Sequence, residues 1–202
     1  MGSEMCIRDR PYHMRVAIER AVLAFYQNKD VRQIDYALDR TYYEYKLKRA
    51  LELKNAFITG LFRMQIDLAN IRTMLRLKFA ESDVDLRDVF IHGGYIEQET
   101  FKHGLDVGYE AIAGLFFASP YYELVDSGVG YLASNKSFLK LECNCEEHIE
   151  GFLKSTIQIT AGPQPIIAFL LRKEREIRNI RLILTGKKNG LDRRLLLDRL
   201  GQ

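Results

Sequence analysis

Cys143, Cys145 and His148 bring metal-ligating residue types close together in the chain. Thiolates and imidazoles suit zinc, but structural zinc sites use Cys-x-x-Cys-like spacing and a fourth ligand. Here the spacing is Cys-x-Cys, no second cysteine pair exists, and His13, His92 and His103 are distant in sequence. On a helix, Cys145 and His148 share a face and Cys143 falls off it. Ordinary packing is the expectation, with no metal and no cofactor.

Other chemistry is equally thin. Gly186-Lys187-Lys188 lacks the upstream glycine and the Ser/Thr of a nucleotide-binding phosphate loop. Neither GxSxG nor HExxH occurs. His92 beside Gly93-Gly94 reads as a turn residue. Glu97/Glu99 and Glu146/Glu147 are near neighbours rather than convergent pairs and read as solvated. Tyr42-Tyr43-x-Tyr45 has the aromatics of a base-stacking surface, but at helical spacing it reads as core plus rim. No residue is assigned a catalytic role.

The elements that must position these residues are helical. Only four prolines occur in 202 residues, and 47% of the chain is hydrophobic against 28% charged, the composition of a globular protein with a sizeable core. No apolar run approaches the ~20 residues needed to span a bilayer. Three cysteines form no disulfide framework, so a reducing compartment is expected. No secretory leader pattern opens the sequence. The first ten residues, MGSEMCIRDR, look foreign to the rest and are set aside with Cys6; the natural gene is expected to continue upstream of Pro11. From Arg172 onward ten Lys/Arg face four Asp/Glu, whereas residues 11–171 carry a net −3. Such a basic segment is a solvated helix face or a surface for acidic partners, lipid or nucleic acid.

Apolar spacing predicts a helix over Tyr12–Gln27, a second opening at Asp30 as N-cap, and one long or two abutting helices over Thr41–Phe79. In the last, Ile58, Leu61, Phe62, Ile66, Ile71, Leu75 and Leu77 supply the buried side. Glu97 starts a short helix, and Glu110–Ala118 another, ending before Pro120. Tyr121–Val125 runs into Gly128 and Gly130, and Ser134–Lys154 is an amphipathic helix or pair. Pro163 and Pro165 open a helix with a stripe of Ile166, Leu170, Ile177, Ile180 and Leu184, and Gly186 is placed as its C-terminal cap. Arg172–Glu176 and Glu174–Arg178 sit four apart as supporting ion pairs. No segment sustains period-two alternation, so the fold class is all-α.

Two of these helices repeat. Residues 63–78 (RMQIDLANIRTMLRLK) and 172–187 (RKEREIRNIRLILTGK) align at an offset of 109 with six identities: Arg63/Arg172, Asn70/Asn179, Ile71/Ile180, Arg72/Arg181, Leu75/Leu184 and Lys78/Lys187. Asp67/Glu176 and Leu68/Ile177 are conservative. An acid at i and Asn at i+3 share a helix face, and Asn is mildly unfavourable inside a helix. Its recurrence predicts that Asp67, Asn70, Arg72 and Glu176, Asn179, Arg181 are lobe-building contacts. The chain is therefore read as a foreign-looking 1–10, a helical lobe over 11–100 and a second over 101–202.

PQPIIAFLLRKEREIRNIRLILTGKKNGL (Pro163–Leu191), DLANIRTMLRLK (Asp67–Lys78) followed by VFIHGGYI (Val89–Ile96), and SPYYELV (Ser119–Val125) together resemble the C/d subunit family of V-type/A-type rotary ATPases, across nearly all of 31–200. The resemblance implies repeated helical lobes forming a pseudo-three-fold funnel, with two of three lobes present here and an apolar seam exposed where the third is missing. It implies a non-catalytic subunit on the cytoplasmic face of the membrane, coupling the membrane rotor ring to the central stalk for proton or sodium transport linked to ATP synthesis or hydrolysis. Its partners would be ring and stalk, with neither a small-molecule substrate nor nucleic acid. Arg172, Arg175, Lys187, Lys188, Arg193 and Arg194 are the candidate partner surface. The alternative reading is a helical nucleic-acid-binding protein using the basic C-terminal segment.

Overall fold

The computed structural model describes residues 12–200, the side chains of Leu195 and Asp198 excepted. The segment 1–10, set aside above, lies outside the described residues. All regular elements described are helical, and none is long and apolar enough to cross a membrane. The chain divides into two compact units, the first ending at Leu105 and the second starting at Asp106.

The first unit opens with a hairpin of α1 (Tyr12–Asn28) and α2 (Arg32–Glu52). Asp30 does not serve as the N-cap: Val31 stands at that position without a side-chain cap bond. Asp30 instead accepts from the Arg32 main-chain N–H and side chain. The expected long stretch breaks into two helices at Lys54, which takes φ 51. Asn55 then caps α3 (Ala56–Phe79), accepting a bond from the Ile58 N–H at 3.1 Å.

Helix α3 is the core of this unit. Leu61, Ile66, Leu68, Ile71, Met74 and Leu75 are all fully buried, and truncating a single such residue costs ~2–5 kcal/mol. Phe62 is only half-buried, under the Lys46 ammonium. The short α4 (Leu86–Val89) is held by Arg40, whose guanidinium donates to the carbonyls of Arg87 and Asp88. An irregular, bent stretch, with Gly93 at φ 103, then leads into α5 (Gln98–Asp106).

The second unit contains α6 (Tyr109–Ile112), a 3-10 turn over Ala113–Phe116, α7 (Tyr122–Asn135), α8 (Leu139–Lys154), α9 (Pro163–Lys188) and α10 (Arg193–Leu200). Here α7 runs unbroken through Gly128 and Gly130. Lys136, at φ 53, ends it before α8 begins, so of the helix or pair expected over Ser134–Lys154 the structure shows a pair.

Helices α3 and α9 stop at equivalent positions. Phe79 and Lys188 are 109 residues apart, the offset of the sequence repeat. Both ends carry the same capping motif: the N–H of Ser82 donates to the Leu77 carbonyl, and that of Leu191 to the Gly186 carbonyl. Gly190, at φ 65, occupies the left-handed position that Glu81 takes at φ 46. Gly186 is therefore not the cap. The helix continues past it, and Gly186 is buried against Leu196 of α10.

Candidate functional site: a side-chain clamp on the main chain

The repeated residues of α3 converge on one target, the stretch between Ile91 and Leu105. Asn70 is almost fully buried and reads one residue completely. Its amide donates to the Ile91 carbonyl at 2.8 Å, and its side-chain oxygen accepts the Ile91 N–H at 3.0 Å. Asp67, wholly buried, accepts the consecutive N–H groups of Tyr95 (2.9 and 3.0 Å) and Ile96 (3.1 Å). Lys78 donates to the Leu105 carbonyl at 2.7 Å. Arg63 lies over the Tyr95 ring at 5.6 Å. Arg72 is half-buried, and its charge opposes the upward push that burial gives the Tyr43 hydroxyl.

Gly94 makes the clamp sterically feasible. A Cβ there would stand 2.0 Å from Asp67 Oδ1, so any side chain would displace the carboxylate. The clamp answers a physical demand. A buried irregular stretch leaves main-chain donors and acceptors without ladder partners, and each must be satisfied. The Asn expected to touch a neighbouring helix thus touches main chain instead.

The counterparts in α9 are arranged differently. Glu176 is exposed and paired with Lys173 at 2.6 Å, Asn179 is half-buried, and Arg181 is exposed. The ion pairs expected within the helix are replaced by pairs to α8: Arg172 with Glu150 at 2.9 Å, Arg175 with Glu146 at 3.2 Å and Arg178 with Glu146 at 3.9 Å. Of the candidate partner surface, Arg172 and Arg175 are therefore engaged within their own unit. Lys187, Lys188, Arg193 and Arg194 are exposed.

The chemistry-bearing residues lie elsewhere. Cys145 is fully buried and Cys143 half-buried, its thiol pushed up by burial. His148 packs on the Tyr121 ring at 5.2 Å, and burial lowers its pKa. Among the described residues no three His, Cys, Asp or Glu are grouped to hold a metal ion. A cleft of about 510 Å3 in the first unit is lined by Arg32, Asp35, Asp39 and Arg76. Burial raises the Asp39 pKa, assisted by Asp35 and opposed by Arg76.

The fold is all-α, and buried polar side chains of the first unit brace that unit's own main chain. The chain belongs to the ATP synthase (C/AC39) subunit family, whose model matches residues 7–199. It is similar to the C subunit of the A-type ATP synthase from Haloferax volcanii, 27% identical over 161 residues, covering 79% of this chain and 46% of that protein. The same subunit from Methanococcoides burtonii is 24% identical over 181 residues, covering 87% of this chain and 50% of that protein. The chain thus spans about half the length of the curated relatives it matches. No solved structure matches it.

Proposed function

We propose that this chain serves as a non-catalytic coupling piece of an A-type or V-type ATP synthase, joining the membrane rotor ring to the central stalk on the cytoplasmic face. The observation that carries the reading is the family match across residues 7–199. The fold supports it physically. A torque-transmitting part needs stiffness, and close-packed helices cross-braced by buried hydrogen bonds resist deformation. The repeat residues Asp67 and Asn70 belong to that bracing. Lys187, Lys188, Arg193 and Arg194 are available to acidic partner surfaces, whereas Arg172 and Arg175 are spent on Glu150 and Glu146. Those internal pairs also weaken the case for a nucleic-acid groove on α9.

The test is binding of the folded chain to membranes that carry the rotor ring but are stripped of soluble subunits. Saturable binding that then recruits the central stalk is the expected result. A helical, folded chain that neither binds nor recruits would overturn the reading.

A further inference from the structure

The connection between α6 and α7 presents an aromatic side chain to water on a rigid mount. Phe117 directly follows the 3-10 turn over Ala113–Phe116. Phe116 is 1% exposed, whereas Phe117 is 77% exposed. The Ser119 hydroxyl fixes the chain that follows: it donates to the Phe116 carbonyl at 2.7 Å and accepts the Tyr121 N–H at 3.2 Å. Pro120 adds its own fixed φ. Tyr122, 36% exposed, then meets Phe117 edge-on, with ring centroids 5.6 Å apart and planes at 80°. Folding orders both rings without burying the outer one.

The surroundings carry one sign of charge. No lysine or arginine occurs between Lys102 and Lys136. Glu110 on α6 precedes the turn, and Glu123 and Asp126 follow Tyr122 on α7. All three acids are exposed, and none is paired with a cation among the described residues. The acids of α8 are used otherwise, since Glu146 and Glu150 hold arginines of α9. The helix dipole accounts for Glu110 and Glu123, each in a first turn. It accounts neither for Asp126 nor for an exposed phenylalanine. Gly114 stands three residues before Phe117, one above the other at 3-10 spacing. A Cβ on Gly114 would meet nothing within 4 Å. That glycine has no packing task within the chain, and it leaves the backbone open beside the phenyl ring.

We propose that Phe117 and Tyr122 form a docking site for an arginine-bearing surface of a partner protein. A guanidinium stacks on the phenyl face, Glu110, Glu123 and Asp126 answer its charge, and the flat edge at Gly114 admits the partner's backbone. Charge complementarity selects this occupant. Arginine carries a planar, weakly hydrated cation suited to ring faces, and aromatic residues and arginine are the types enriched where proteins meet. Three carboxylates without cations repel phosphate groups, which disfavours nucleic acid and anionic lipid. A second copy cannot meet this face with its own, because like charges would oppose one another. The inference does not rest on the coupling role proposed above: exposure and charge at Phe117 are the same whichever complex the chain joins.

The probe is a short synthetic peptide of alternating glycine and arginine, titrated into the intact, isotope-labelled 202-residue chain and followed by amide NMR signals. The same peptide with citrulline in place of arginine is the neutral isostere. The Gly114, Phe117 and Tyr122 amides should shift saturably with the arginine peptide and stay still with the citrulline one. F117A should weaken binding about tenfold with the melting curve unchanged, because the side chain it removes is exposed. G114A should also weaken binding while its melting temperature holds or rises, since alanine is the better helix former and its Cβ meets nothing. Five results would overturn the proposal: no saturable shift at these amides, shifts that the citrulline peptide reproduces, binding that F117A or G114A leaves unchanged, self-association of the chain that F117A abolishes, or F117A-sensitive sedimentation with phosphatidylcholine/phosphatidylglycerol vesicles.

Discussion

The same substitution made in the two copies of the repeat should have opposite consequences. Asn70→Ala strips both partners from Ile91, whose N–H and carbonyl are bonded to the Asn70 amide at 3.0 and 2.8 Å. Each orphaned buried group costs ~1–3 kcal/mol. Alanine returns ~0.6 kcal/mol of helix propensity, and partial hydration of the gap trims the remainder. The net loss should be ~3 kcal/mol. Asn179→Ala removes no bond among the described residues and gains the same propensity, so its stability should be unchanged or rise, by no more than ~1 kcal/mol. Urea unfolding followed by helical circular dichroism measures both, and hydrogen exchange at Ile91 reports the first unit alone. A loss below ~1 kcal/mol for Asn70→Ala, or an equal loss for Asn179→Ala, would refute the claim that the first asparagine holds buried main chain and the second does not.

Other outcomes follow from the geometry. Gly94→Ala should destabilise the first unit by ~1–3 kcal/mol, the usual range for overpacking, because its Cβ would fall on Asp67 Oδ1; faster exchange of the Tyr95 and Ile96 amides would register it. Glu81→Gly should raise the urea midpoint by the equivalent of ~1 kcal/mol, since Glu81 holds φ 46 where the matching position is Gly190. Burial lowers the folded-state pKa of His148, so the unfolded chain takes up the proton first. Stability should therefore fall as pH drops below ~6.5 and level off below the folded value. In His148→Gln that part of the pH dependence should disappear from thermal melts taken between pH 7 and pH 5.

The all-α class and most helix spans were legible because apolar periodicity is a local property of the chain. The repeat was legible too, as six identities, but its task was not. Asp67 and Asn70 bind main-chain groups 21 to 29 residues away. Main-chain N–H and C=O groups have no letter in the sequence. Only the Gly93-Gly94 pair hinted that a backbone approaches something closely there. The same limit explains the ion pairs. Arg172 and Glu176 stand four apart on one helix, which makes their pairing easy to anticipate. The structure instead sends Arg172 to Glu150, 22 residues upstream on α8, and Glu146, read as solvated, receives Arg175 and Arg178. The Gly186 cap failed because the helix end is decided by which residue can take a positive φ, and Gly190 competes for that place with better downstream geometry.

The contrast between the two helices bears on how such a chain divides its work. In α3 the repeat motif is consumed in making a rigid unit: most apolar positions are buried, and Asp67, Asn70 and Lys78 are committed to main chain. In α9 the motif's Arg172 is diverted to α8, which fixes the helix from one side and leaves the opposite side apolar and open. One sequence pattern thus serves as internal brace in the first unit and leaves apolar side chains exposed in the second.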